Sequence, residues 1–66
     1  MKIILNGQEK EVTEDISLSE LIHTFSAQNP RVIAEVNGAI VQVPDWNNVQ
    51  IKNGDAVELI RFVGGG

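Results

Sequence analysis

Ser17-Leu18-Ser19-Glu20-Leu21-Ile22-His23-Thr24-Phe25-Ser26-Ala27-Gln28-Asn29-Pro30 is the stretch of this chain with a helical period. Leu18, Leu21, Ile22 and Phe25 recur at i, i+3, i+4 and i+7, which draws one apolar stripe along a helix. Ser17 is a good N-cap and Glu20 follows three residues later, a pairing in which each side chain satisfies a backbone N–H left free at the helix start. Proline disfavours helical geometry in the residue before it, so Asn29-Pro30 ends the element. The spacing predicts a helix from Leu18 to about Gln28, packed through Leu18, Leu21, Ile22 and Phe25.

Short strand-like runs flank it, punctuated by three Asn-Gly pairs. Asn6-Gly7 divides Lys2-Ile3-Ile4-Leu5 from Gln8-Glu9-Lys10-Glu11-Val12. Asn and Gly both tolerate the positive φ of a two-residue type I′ turn, so these runs form a hairpin. Its second strand is mostly charged, which suits a sheet edge, where charge discourages pairing with other chains. Asn37-Gly38 turns Val32–Val36 back into a shorter strand around Ile40-Val41, and Asn53-Gly54-Asp55 precedes the last run, Val57 to Val63. Two strands, a helix and three strands predict an α+β domain with one helix packed across one face of a mixed sheet. In its compact version the first and last strands lie parallel at the centre and the helix is the crossover, which is the β-grasp arrangement.

Composition limits what such a domain can do. Sixty-six residues with 42% hydrophobic content make one small core, and a domain of this size buries only about 60% of its unfolded surface. The net charge is -4, with the basic residues scattered as Lys2, Lys10, Arg31, Lys52 and Arg61. That argues against nucleic acid as a partner and leaves a basic protein surface as the more natural one. No apolar run is long enough for a membrane span or a signal peptide, so the expectation is a cytoplasmic protein without a membrane partner. With no cysteine there is no disulfide, thiolate metal site or cysteine nucleophile.

Strand alternation separates buried from spare residues. In the last strand Val57 and Leu59 share one face, while Glu58, Ile60 and Phe62 share the other. Glu58 belongs in water, which turns Val57 and Leu59 toward the helix. Ile60 and Phe62 are then left on the open face near Ile4, as a candidate patch for docking a partner. A second reading has Phe62 fold back over a loop against Trp46. Arg61 falls at the margin of the helix side, either as a solvated end-of-strand charge or as an anchor for an acidic partner groove. His23 lacks a serine, cysteine or ligand set beside it, and Glu9, Glu11, Glu14 and Asp15 read as a solvated strip, so neither a catalytic nor a metal site is expected.

The final strand runs straight into Gly64-Gly65-Gly66. The expected organisation is therefore a domain over residues 1–63 and a flexible tail over residues 64–66. No helix follows the glycines, so they are not a phosphate-binding loop. They are either a frayed end or a side-chain-free tail able to enter a narrow channel and present a terminal carboxylate to another protein's active site. Growth of the tail directly out of a strand favours the second.

Val36-Asn37-Gly38, Ile40-Val41, Trp46, Gly54-Asp55, Val57-Glu58-Leu59-Ile60 and Phe62-Val63-Gly64-Gly65-Gly66 together resemble the sulfur carrier proteins of thiamine biosynthesis, the ThiS family. The resemblance spans the whole chain and is most specific in its last third. It implies a ubiquitin-like β-grasp fold and a co-substrate rather than an enzyme. It further implies that the Gly66 carboxylate is adenylated by an E1-like partner, with ATP and magnesium bound by that partner and no cofactor held by this chain. A persulfide donor then supplies sulfur, and the resulting thiocarboxylate serves a thiazole synthase in building the thiazole ring. The terminal signature common to such carriers is two glycines, which leaves Gly64 without an assigned part. The molybdopterin-synthase small subunit, a ubiquitin-like modifier and a plain interaction module are the alternatives. The first of these tends to be longer and to form a stable complex with a large subunit.

Overall fold

The computed structural model is described over residues 1–26 and 32–61. The expected helix end at Ala27 to Pro30, the docking residue Phe62 and the tail Gly64-Gly65-Gly66 lie outside those residues.

Two of the Asn-Gly pairs build the hairpins. Strand β1 (Lys2–Leu5) returns as β2 (Gln8–Glu11) through Asn6 and Gly7, with φ of 50° and 82°. Strand β3 (Val32–Val36) returns as β4 (Ala39–Val41) through Asn37 and Gly38, at 52° and 86°. Both central residues of each turn have the positive φ that a type I′ turn demands, and its twist matches that of the strands it joins. Helix α1 (Leu18–Ser26) lies between the hairpins, and β5 (Ala56–Arg61) closes the chain's order of elements. The sheet order is β2-β1-β5-β3-β4. β1 and β5 run parallel, with Ile4 opposite Ala56 and Leu5 opposite Val57. All other pairs are antiparallel, which is the mixed β-grasp sheet expected from the element order. All four residues of β2 are exposed, as an edge strand should be.

At the helix start the expected reciprocal cap is present. The Glu20 N–H donates to Ser17 Oγ at 3.0 Å, and the Ser17 N–H donates to Glu20 Oε1 at 2.9 Å. The same end is tied to the loop before β5, where the Leu18 N–H donates to the Val49 carbonyl and the Ile51 N–H to that of Ile16. The core fills the space between helix and sheet with Leu18, Leu21 and Ile22 against Ile3, Val57 and Leu59. Between β4 and β5 the chain forms a 3-10 helix over Val43–Asn48. Trp46 anchors it by donating its indole N–H to the Val41 carbonyl at 2.9 Å and packing against the core.

Phe25 departs from the expected packing. Its side chain is 38% exposed and forms a wall of an open groove with Val12, Ile16 and Thr24. The neighbouring Ser26 is buried instead. A helical period gives the direction in which a side chain points and not the depth of core beneath it, and Phe25 occupies the last described turn of α1. Leu21, which is fully buried, should therefore cost about 2–5 kcal/mol when changed to alanine. Phe25→Ala should cost under about 1 kcal/mol, nearer the range of surface substitutions. Urea midpoints of the two variants check the contrast, and an equal loss for both would place Phe25 in the core.

Candidate functional site

Of the residues singled out for docking, Ile60 and Arg61 lie on β5, so the site depends on how β5 is held. Its start and its middle are each positioned by the asparagine of a hairpin turn. At the start, Asn37 Oδ1 accepts from the Ala56 N–H at 2.9 Å while its Nδ2 donates to Asp55 Oδ1 at 3.0 Å. Asp55 in turn accepts from the Lys52 N–H through Oδ2 at 2.8 Å. Farther along, the Ile4 N–H donates to the Asp55 carbonyl and the Asn6 N–H to that of Val57. The Asn6 side chain then replaces the next strand residue, its Oδ1 accepting from the Leu59 N–H at 2.8 Å. β1 stops there. β5 continues to Arg61 beside β3, where Val32 is its partner.

Sequence reading assigned Asn6 and Asn37 to turns and missed these second roles. The available signal was the residue type at the first turn position. Aspartate or glycine also fits positive φ there, but only an amide side chain both donates and accepts.

Of the six described residues of β5 and β1 expected to divide between core and docking, most fall as alternation directs. Val57 and Leu59 are buried, and Glu58 and Ile60 are exposed, Ile60 by 44%. Arg61 is exposed and lies opposite Val32, on the helix-side parity of the strand. Ile4 is displaced from where it was expected. It is half-buried and pairs with Ala56 and Glu9, four residues along β5 from Ile60, or about 13 Å. The cause is the early stop of β1 at Asn6, which leaves the far end of β5 without a β1 neighbour. The apolar companion of Ile60 is instead Ile33, directly opposite on β3. Phe62, Gly64, Gly65 and Gly66 lie outside the described residues.

His23 is exposed. Among the described residues no group of three or more histidine, cysteine or acidic side chains is arranged to hold a metal, and no helix is long and apolar enough to cross a membrane. Trp46 is held by its hydrogen bond and its core contacts, which accounts for it structurally.

The model of the ThiS family matches residues 3–66. The chain belongs to the ThiS family. The crystal structure of the thiamine biosynthesis protein ThiS from Geobacter metallireducens has the same fold, with a TM-score of 0.85, 33% identity and full coverage of both chains. The sulfur carrier protein ThiS of Bacillus subtilis is 30% identical over 63 residues, covering 94% of this chain and 96% of that protein. The thiazole synthase of Paramagnetospirillum magneticum is 29% identical over 66 residues, which take in all of this chain and 20% of that protein. The ubiquitin-like β-grasp expectation and the family resemblance are both borne out.

The bond from the Leu59 N–H makes Asn6 a positional device for β5. Asn6→Gly keeps the backbone freedom of the turn and removes only the acceptor. It should cost about 1–3 kcal/mol, the range for leaving a partly buried donor unpaired. It should also speed hydrogen exchange at the Leu59 amide while sparing that of Ile3, as read by NMR.

Proposed function

We propose that this chain is a sulfur carrier for the thiazole branch of thiamine biosynthesis, with the main-chain carboxyl of Gly66 as the group that carries sulfur. The observation that supports this most strongly is the ThiS family match over residues 3–66, which takes in the terminal glycines. The Bacillus relative named as a sulfur carrier covers nearly the whole chain as well.

The chemistry asks little of the carrier beyond presentation. An ordinary α-carboxyl titrates near about 3.5, so Gly66 is ionised at neutral pH. One carboxylate oxygen attacks the α-phosphorus of ATP on an E1-like partner, pyrophosphate leaves, and an acyl-adenylate forms. The terminal sulfur of a partner's persulfide then attacks the acyl carbon and expels AMP. A thiol on the donor side takes up the second sulfur of the acyl disulfide as a new disulfide, which releases the thiocarboxylate. That sulfur is the nucleophile a thiazole synthase consumes. The likeness to a segment of thiazole synthases supports this as the downstream partner. In this reading ATP and magnesium are bound by the adenylating enzyme, the reaction takes place in the cytoplasm, and the carrier is a co-substrate.

β5 suits the role. It is a central strand pinned by asparagines at Ala56 and Leu59, so the peptide that follows Arg61 leaves a rigid platform. Residues 64–66 act as the tail, and Ile60, Arg61 and Phe62 as its docking collar. Ile4, farther along the open face, contributes at the collar's margin.

Deleting Gly66 draws the carboxylate back by about 3.3–3.6 Å in an extended tail, more than in-line attack on a phosphate tolerates. The shortened chain should stay folded and support no ATP–pyrophosphate exchange with the adenylating enzyme. Exchange at the intact rate would remove the carrier reading. Intact mass of the chain from its native host should show oxygen-for-sulfur exchange at the terminus. Changing Ile60 or Phe62 to alanine should raise the KM for the carrier in the same assay, with the melting temperature nearly unchanged. A large loss of stability with a normal KM would assign those side chains to folding.

A further inference from the structure

The open face of the sheet carries an uneven charge distribution that sequence order conceals. Register places Lys2, Ile4, Glu9 and Glu11 on that face at the β1–β2 end. Glu58 stands directly opposite Glu35 at its centre, with Ile40 beyond Glu35 on β4. The next pair toward the end of β5 is Ile60 opposite Ile33. Among the described residues the face thus holds four carboxylates against one lysine, with Glu11 drawn to the Met1 ammonium at 3.8 Å. The other described residues hold five acids against three bases. The larger part of the described residues' net negative charge therefore lies on the side away from the helix.

The central pair has a cost. Residues directly opposite on one face of an antiparallel pair have Cβ atoms about 4.5–5.5 Å apart, and like charges there destabilise the sheet. Nothing in the core requires this arrangement, since Glu58 is exposed and Glu35 half-buried. Exposed apolar side chains border it on two sides, Ile40 at 60% and Ile60 at 44%. Two carboxylates on directly opposite residues, bordered by isoleucines on two sides, are complementary to one delocalised cation set in an apolar surround.

We propose that this face docks a basic surface of the adenylating partner, with one guanidinium or ammonium side chain seated between Glu35 and Glu58 and apolar side chains against Ile40, Ile60 and Ile33. The inference rests on the carrier reading and names the chemistry of the surface that reading requires. A second copy of this chain is a poor occupant, because it would bring the same negative face.

The test uses the full chain, the adenylating enzyme of the same organism and ATP–pyrophosphate exchange. The double variant Glu35→Gln, Glu58→Gln should raise the KM for the carrier about ten-fold or more at low salt while kcat stays unchanged. Its melting temperature should equal or exceed that of the parent, because repulsion has been removed, and this separates docking from a structural role. The KM of the parent should climb with salt up to about 0.5 M, and that of the variant much less, as screening predicts. Asp45→Asn, in the 3-10 helix, serves as the control and should leave the KM unaltered. A parent that is activated normally, with an unchanged KM in the double variant, overturns the inference and leaves the carrier reading standing. A parent that is never activated removes both. Sedimentation showing a dimer that the double variant abolishes would also overturn the inference.

Discussion

The parallel contact between β1 and β5 is the constraint on which the rest of this small domain depends. Parallel neighbours cannot be joined by a tight turn and need a long crossover, so the whole intervening chain must travel from one strand to the other. Helix α1 makes most of that journey and covers one face of the sheet on the way. β3 and β4 then flank β5 from the other side, which puts β5 in the middle of the sheet. A chain that leaves the domain from its central strand leaves from the most constrained position available.

Much of this was legible in the sequence because the determinants are local. The two hairpins follow from Asn6-Gly7 and Asn37-Gly38, since few residue pairs accept two successive positive φ values. Ser17 and Glu20 mark the helix start because the cap is made within one turn. Alternation along β5 sorts Val57 and Leu59 from Glu58 and Ile60 because pleating is a property of the strand alone. What the sequence concealed depends on lengths and neighbours. The distance from Ile4 to Ile60 is set by where β1 stops, and that is decided by an asparagine side chain bonded to a residue 53 positions away. Phe25 fits the helical stripe, yet the depth of core available to it depends on the segment after β2. The 3-10 helix over Val43–Asn48 has too short a period to stand out from a loop in the sequence.

The two faces of the sheet differ in what they hold. The helix side holds the apolar core and the anchored tryptophan. The other side combines isoleucines with carboxylates whose mutual repulsion the fold tolerates. In the proposed docking, association and folding draw on different residues, and one face can change with little effect on the other. The two asparagine side chains are the exception, because they act on the strand that both faces share.

Trp46 is the only tryptophan in a chain without tyrosine, so near-ultraviolet emission from this protein comes essentially from one indole. That indole is bonded to Val41 and packed with the core on the helix side. Its fluorescence consequently reports the integrity of the 3-10 segment and the hydrophobic interior. A partner that covers the opposite face would leave the emission maximum where it was. An unchanged spectrum during a titration is thus no sign that binding has failed, and a reporter for that event has to be placed on the sheet's open side.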